Sequence, residues 1–191
     1  MLVIIATTTS YGQNFGIKGG LNYANLIVNN SSIEYGDYIF GFHAGVFSTI
    51  EITHKLSLRP EALYSKKGYD RKLSTVYQTL EINNRFHYLN LPLLMAFTPL
   101  DKLSLLAGPE FGYIIAARQE NNRTGSSYDI EDMYDRFDFG LAAGVMVWMT
   151  ENLHAELRYT HGLSDLTKEF GIGSSRLQNR TFQLSVGYRL K

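Results

Sequence analysis

The sequence predicts an all-β protein: an eight-stranded antiparallel up-and-down transmembrane β-barrel with short periplasmic turns and long external loops. Three observations support this fold class. Apolar residues alternate with small or polar residues in eight segments, as in strands that have one apolar face. The connections between these segments are alternately short and long. Gly (17 residues) and Tyr (13) are abundant among 191 residues, which suits strands joined by turns.

Each of the eight segments has the two-residue period. They comprise residues 14–25, 38–52, 56–69, 86–97, 103–118, 137–149, 153–161 and 181–190. The last is the clearest, because Phe182, Leu184 and Val186 alternate with Gln183 and Ser185. In chain order, the polar faces carry Lys18, then His43, then Arg59 and Glu61, then Asn90, then Glu110, then Asp138, then His154, Glu156 and Arg158, and finally Arg189.

The connections predict how the barrel is oriented. Residues 53–55, 98–102 and 150–152 are short links, whereas residues 26–37, 70–85, 119–136 and 162–179 are long and polar. An exported N-terminus starts in the periplasm, so the first long link is external. Turns of this length predict that Asn90 lies opposite Glu110 and that Trp148 lies opposite His154.

Two solvents could meet the two faces. A soluble lipocalin-like barrel turns its apolar face inward and covers the outside with charged residues. Here the polar face carries Gly, Ser, Asn and a few charges of both signs, which suits a narrow interior where opposite charges pair. The apolar face has aromatic residues near the strand ends, as at a membrane interface. We therefore expect lipid outside and a closed, polar lumen.

The composition excludes several classes of function. The absence of Cys rules out disulfides, thiolate metal sites and cysteine nucleophiles. The 18 basic and 18 acidic residues balance, so no general affinity for nucleic acid is expected. No stretch approaches the ~18 apolar residues of a spanning helix. Residues 1–12 are interpreted as a truncated signal peptide that precedes the barrel domain, residues 13–191; the alternative is an ordinary first strand.

The chain resembles the PorT-like family of outer-membrane β-barrel proteins of Gram-negative bacteria. The matching stretches, in order, are 15–22 (FGIKGGLN), 60–68 (PEALYSKKG), 88–94 (YLNLPLL), 107–109 (AGP), 156–159 (ELRY) and the strand 182–190. The resemblance implies an integral outer-membrane barrel. Family members often carry an acidic residue at the position of Asn90, so a charge pair there would be missing. One member is tied to a secretion and gliding apparatus, a role that barrel motifs alone do not transfer.

Candidate catalytic and metal-binding groups are weak. His161 and Ser164 loosely resemble the His and Ser of a lipid A deacylase barrel, but they are three residues apart and have no acid partner. His43 and His154 point inward, yet a metal site needs at least three converging ligands. The inward carboxylates could form an acid–base pair, but Lys18, Arg59 and Arg158 offer them counter-ions. We interpret the inward polar residues as a structural network.

The preferred function is a non-enzymatic outer-membrane barrel that has a structural or partner-binding role through its external loops. The first alternative is an accessory component of a protein secretion or gliding apparatus, and the second is a lipid-modifying enzyme. We expect contact with outer-membrane lipid, insertion by the barrel-assembly machinery and a protein partner at the external loops. We expect a monomer without cofactor, metal or nucleic acid.

Overall fold

The computed structural model describes residues 14–29, 37–74, 79–121, 127–131, 134–166 and 176–190. The predicted signal peptide, residues 1–12, lies outside the described residues. The described residues form β1 (Asn14–Asn29), β2 (Asp37–Thr53), β3 (Leu56–Ser74), β4 (Thr79–Leu100), β5 (Leu103–Asn121), β6 (Ser127–Asp129), β7 (Phe137–Trp148), β8 (Leu153–Gly162) and β9 (Arg176–Arg189). Within them, no helix is long and apolar enough to cross a membrane.

Eight of these strands close into a barrel. Each pairs antiparallel with its neighbours along the chain, and β1 pairs with β9 to complete the ring. The short β6 lies in the predicted third long loop and pairs with β5 at Arg118–Glu120, whereas β7 pairs with β5 only as far as Tyr113. β6 therefore continues the line of β7 beyond the barrel wall. The predicted eight-stranded antiparallel barrel is confirmed.

The two faces of the strands meet different surroundings, as the alternation predicts. Along β4, Leu89 and Leu91 on the outer face are 45% and 48% exposed, while Asn90 between them is 2% exposed. Along β1, β5 and β9 the outward side chains are again mainly apolar, while the inward face carries small and polar residues together with buried apolar ones such as Leu106 and Ile114. An apolar outer face and a polar inner face are typical of a transmembrane barrel.

The short connections define one end of the barrel, which we call the turn end; the opposite end is the loop end. At the turn end, β2 and β3 are joined by His54 and Lys55, with Thr53 opposite Leu56. Trp148 lies opposite His154, as predicted. The other register prediction is wrong, because Asn90 pairs with Gly112 and Pro92 pairs with Glu110.

The wrong register has a simple cause. The link between β4 and β5 is shorter than predicted: only Asp101 and Lys102 separate the strands, and the pairing shifts by one residue between Phe97 and Leu100. The net shift relative to the prediction is two residues. A shift of two keeps every side chain on its predicted face, so the error leaves the assignment of lumen residues unchanged.

The strands continue past their predicted bounds at the loop end. β3 and β4 pair as far as Ser74 and Thr79, and β9 starts at Arg176 instead of residue 181. A strand needs about 9–11 residues to span the bilayer, so the additional rows form a rim above it. In such a rim both faces of a hairpin can meet water, and backbone pairing continues without apolar alternation.

Glycines in the lumen make room for large side chains on the neighbouring strands. Gly16 lies opposite Phe47, whose ring fills the space where a side chain of Gly16 would be. Gly187 lies opposite His154, whose ring fills the corresponding space. Large and small residues therefore alternate around the inner wall, as close packing in a narrow barrel requires.

Replacement of Gly187 by Val should reduce the folded fraction of the barrel, because the new side chain meets the ring of His154. Overpacking of this kind costs about 1–3 kcal/mol. The measurement is heat-modifiable mobility in a detergent gel after refolding. Val186→Leu, on the adjacent outward position, is the control and should fold like the wild type. Equal folding of both variants would contradict the packing argument.

Candidate functional site

The polar side chains of the lumen form layers across the barrel axis. The layer with the most charged residues, which we call the ionic layer, consists of Lys18 on β1, Arg59 and Glu61 on β3, and Glu156 and Arg158 on β8. All five are at most 5% exposed. Because β1, β3 and β8 face one another across the lumen, residues far apart in the sequence meet here.

Glu61 is the centre of the ionic layer. Its Oε1 accepts hydrogen bonds from Arg59 Nε at 3.0 Å and from Arg158 Nη2 at 2.8 Å. Lys18 Nζ lies 3.3 Å from Glu61 Oε2 and 2.8 Å from Glu156 Oε1. Arg158 Nη2 is also 2.6 Å from Glu156 Oε1. Three cations thus share two carboxylates, and each charge has an opposite charge within hydrogen-bond distance, which buried charges require.

Aromatic rings extend this layer toward the turn end. The Arg59 guanidinium lies 3.8 Å from the centre of the Phe47 ring, a cation–π contact. Arg59 Nη2 is 2.8 Å from His154 Nε2. A guanidinium can only donate, so Nε2 accepts and the His154 ring is neutral with its proton on Nδ1. His154 therefore orients Arg59.

His43 belongs to the next layer toward the loop end. Its Nδ1 is 2.8 Å from Asn22 Oδ1 and its Nε2 is 2.8 Å from Ser185 Oγ. The Asn22 amide nitrogen donates to the carbonyl groups of Phe42 and Lys66. The Asn22 oxygen therefore faces the ring and accepts a hydrogen bond from the protonated Nδ1 of His43. Both nitrogens of His43 are engaged in this packing.

A third polar layer surrounds Glu110. Asn90 Nδ2 donates to Glu110 Oε1 at 2.6 Å, Thr160 Oγ1 donates to Oε2 at 3.3 Å, and Lys67 Nζ lies 3.4 Å from Oε1. The amide of Asn90 therefore donates to a carboxylate in place of a charge pair. Asp138 accepts a hydrogen bond from Asn179. Both residues line a cavity of about 10 Å³ next to Glu110, which has room for about one water molecule.

The buried charges of the lumen balance. Among the described residues, Lys18, Arg59, Lys67 and Arg158 are buried cations, and Glu61, Glu110, Asp138 and Glu156 are buried anions. Four charges of each sign leave the interior neutral. The polar groups of the lumen are therefore used mainly on one another, an arrangement that stabilises the wall and leaves few charges for a substrate.

An apolar cluster closes the barrel at the loop end. This loop-end plug comprises Leu26, Tyr69, Phe86, Tyr88, Ile114, Ala117, Ile130, Leu166 and Leu177, with Tyr134 packed against them. Two of its members, Ile130 and Leu166, come from the connections after β5 and β8. They are held by backbone hydrogen bonds to Ala117 and Leu177. The mouth of the barrel is thus sealed by chain from the connecting segments.

The turn end is open by comparison. A cavity of about 610 Å³ lies there, between the connecting turns and the ionic layer. Arg59 and Trp148 are at its inner wall, and Arg189 lies at its side with its guanidinium 4.5 Å from the Trp148 ring centre. Its rim carries charges of both signs, from Lys55, Asp101, Lys102 and Glu151. The lumen is therefore a recess that ends at the ionic layer.

The structure places ten of the eleven lumen residues named from the sequence inside the barrel, 6% exposed or less. Arg189 is the exception, because its strand ends at the turn-end cavity and its side chain donates to the carbonyl of Glu151. Sequence reasoning missed Lys67 as a lumen residue. The signal was present, since Lys67 shares the parity of Arg59, Glu61 and Ser65 on the same predicted strand.

His161 and Ser164 are not joined as a catalytic pair. The Nδ1 atom of His161 lies 3.3 Å from the Tyr159 hydroxyl, and Ser164 Oγ accepts a hydrogen bond from the backbone of Phe139 at 2.8 Å. Each side chain thus has a structural partner. In the part of the chain that the structure describes, no group of three or more His, Asp or Glu side chains is arranged to hold a metal.

Comparison with known families is decisive for the class of protein. Residues 11–168 match the family described as outer membrane protein beta-barrel domain. The chain belongs to this family. Its location is therefore the outer membrane, and the apolar outer face is the surface that meets lipid. The finer resemblance to PorT-like proteins stays a prediction.

Solved barrels share the fold. The chain is similar to Neisserial surface protein A, with 13% identity and a TM-score of 0.60, covering 94% of this chain and 99% of that one. It is also similar to Ail, the attachment invasion locus protein of Yersinia pestis, with 18% identity and a TM-score of 0.51, covering 93% and 98%. A search of curated proteins finds no significant match. At these identities the likeness shows the fold alone.

Replacement of Glu61 by Gln should destabilise the barrel strongly, because three buried cations then share Glu156 alone. Breaking a buried ion-pair cluster costs about 3–5 kcal/mol. Urea unfolding followed by the fluorescence of Trp148, the only Trp of the chain, measures this. Glu51→Gln, the same change at an exposed position of the turn-end cavity, should cost less than about 0.5 kcal/mol. Equal effects would show that the ionic layer is not central to stability.

The sealed lumen predicts that the purified barrel conducts no ions. In planar lipid bilayers the protein should insert without stable conductance steps, since both the ionic layer and the loop-end plug block the axis. Ile130→Gly with Leu166→Gly should also stay closed, because the ionic layer still crosses the lumen. Discrete steps from the wild-type protein would contradict the closed interior.

Proposed function

We propose that this protein is a non-enzymatic outer-membrane barrel that engages a protein partner through its loop end. The observation that carries the proposal is the rim: paired strands continue well past the rows needed to cross the bilayer, as far as Ser74 and Thr79 on β3 and β4. Such a rim holds the external connections on a rigid base, the arrangement in which loops commonly carry binding function.

The interior supports the same proposal. An enzyme or a transport pathway needs polar groups that are free to act on a substrate, whereas the lumen charges are bound to one another in the ionic layer and around Glu110. The loop-end plug separates these groups from the outer surface. A role at the outer surface therefore fits this protein better than chemistry in the lumen.

Site-specific photocrosslinking in intact cells tests the proposal. A crosslinking residue at Tyr128, which is 61% exposed on β6 at the loop end, should give a discrete covalent adduct with one protein. The same residue at Lys102, an exposed position in the turn between β4 and β5, is the matched control and should not give that adduct. Removal of residues 71–82, which include the outermost paired rows of β3 and β4, should abolish the adduct while heat-modifiable mobility is kept.

Two outcomes would contradict the proposal. The first is that the crosslinking residue gives the same adducts at position 128 as at position 102, or none at position 128. The second is a change in lipid A mass spectra on overexpression that the variant Ser164→Ala abolishes, which would favour a lipid-modifying enzyme instead.

A second candidate is an accessory role in a protein secretion or gliding apparatus. The ordered set of motifs that resembles the PorT-like family, from 15–22 to 182–190, favours it. Deletion of the gene followed by analysis of secreted proteins is the test. A loss of secreted proteins that the intact gene restores would support this role, and unchanged secretion would exclude it.

A further inference from the structure

A cluster of basic side chains lies on the outer wall of β3, β4 and β5, directly above a row of Tyr and Leu side chains. In strand register, Tyr64, Leu89 and Tyr113 form that row across β3, β4 and β5. The next row toward the loop end holds Lys66 opposite His87, and the one after it holds Arg85 opposite Arg118. We call Lys66, Arg85, His87 and Arg118 the basic patch.

A β-bulge places Arg118 in this patch. The register between β4 and β5 shifts between His87 and Tyr88, where Ile115 has no partner. Before this point the odd-numbered residues of β5 face outward; after it Ala117 is buried and Arg118 is exposed. A bulge inserts one residue into a strand and turns the following side chains to the other face. Without it, Arg118 would point toward the loop-end plug.

The basic patch brings like charges together. Residues directly opposite on an antiparallel pair have Cβ atoms about 4.5–5.5 Å apart, and like charges there are destabilising. Arg85 and Arg118 have this relation. Arg85 is paired with Asp70 at 2.6 Å, but Arg118 lies 3.8 Å from Asp129 in an exposed pair, which contributes little. Among the described residues Lys66 has no ion-pair partner, so the patch keeps an excess of positive charge.

The position of the patch identifies the chemistry that would complete it. Tyr64 and Tyr113 lie immediately below the patch on the outer wall, and Tyr is enriched where a barrel wall meets the membrane interface. Guanidinium groups bind phosphate oxygens through parallel N–H donors. At the turn end, by contrast, Lys55 and Lys102 are balanced by Asp101 and Glu151. The excess positive charge is therefore on the side of the outer leaflet, which in Gram-negative bacteria is built from a phosphorylated glycolipid.

We propose that the basic patch binds a phosphate group in the headgroup of an outer-leaflet glycolipid. Arg85, Arg118 and Lys66 face the phosphate, and the Tyr64 hydroxyl, which is hydrogen-bonded to His87 Nδ1, fixes the ring at the lower edge. The acyl chains of the same lipid lie along the apolar row below. This binding does not depend on the protein partner proposed for the loop end.

Native mass spectrometry of the full barrel in detergent tests the proposal, with diphosphoryl lipid A as the probe. Lys66→Gln with Arg118→Gln removes two charges from the patch. Lys55→Gln with Lys102→Gln removes two charges at the turn end and is the matched control. Each cation near an anionic surface contributes about fivefold in affinity, so the patch variant should bind the lipid at least about tenfold more weakly than wild type and control. Heat-modifiable mobility checks that all variants fold.

Further arms separate a lipid headgroup from other ligands. Lipid A without phosphates should bind weakly and equally to all variants, and Lys66→Arg with Arg118→Lys should keep most of the binding. The proposal is overturned if the patch variant binds diphosphoryl lipid A like the wild type, or if loss of the phosphates has no effect. It is also overturned if inorganic phosphate binds as tightly as the lipid. A patch variant that loses the protein adduct at position 128 but binds lipid A like the wild type would overturn it as well.

Discussion

The structure depends on the ion pairs that Glu61 makes in the middle of the lumen. Three cations from three strands converge on two carboxylates there, in a space that excludes most water. Such charges are costly to bury unless each is paired. The electrostatic free energy of the interior is therefore lowest when β1, β3 and β8 hold these relative positions. A change in the register of any one of these strands would break two of the three ion pairs that join different strands, which are Lys18–Glu61, Lys18–Glu156 and Arg158–Glu61.

The barrel wall around the ionic layer faces lipid on its outer side and the packed lumen on its inner side. Each strand presents apolar side chains to lipid, and the lumen holds polar side chains together with buried apolar ones such as Leu94 and Leu106. The lumen is filled because Gly16 and Gly187 make room for Phe47 and His154. The same packing removes any continuous channel. The lumen is therefore closed above the turn-end cavity, and the ends and outer wall of the barrel are the surfaces that remain available for interactions.

The strands and their faces could be predicted from the sequence because apolar residues recur at every second position on the side of a strand that meets lipid. Sequence reasoning did not locate the outer ends of β3, β4 and β9, since pairing above the bilayer requires no apolar alternation. It also missed the loop-end plug: Phe86 and Ile114 point inward but are not polar, so the rule for lumen residues does not describe them. The position of Arg118 depends on a bulge, which leaves no sequence signal of its own.

The seam between the first and last strands has a consequence for insertion. In the ionic layer, Lys18 on β1 donates to Glu156 on β8, and in the loop-end plug, Leu26 on β1 packs in the same cluster as Leu177 on β9. Both features therefore need the first strand and the last two strands of the barrel. Neither can be complete while the sheet is open. A sheet that is open between β1 and β9 would lack the Lys18–Glu156 and Arg158–Glu61 pairs, so closing the ring adds ion pairs that the open sheet does not have. Closure of the ring is therefore favoured by contacts in the interior as well as by the backbone pairing of β1 with β9.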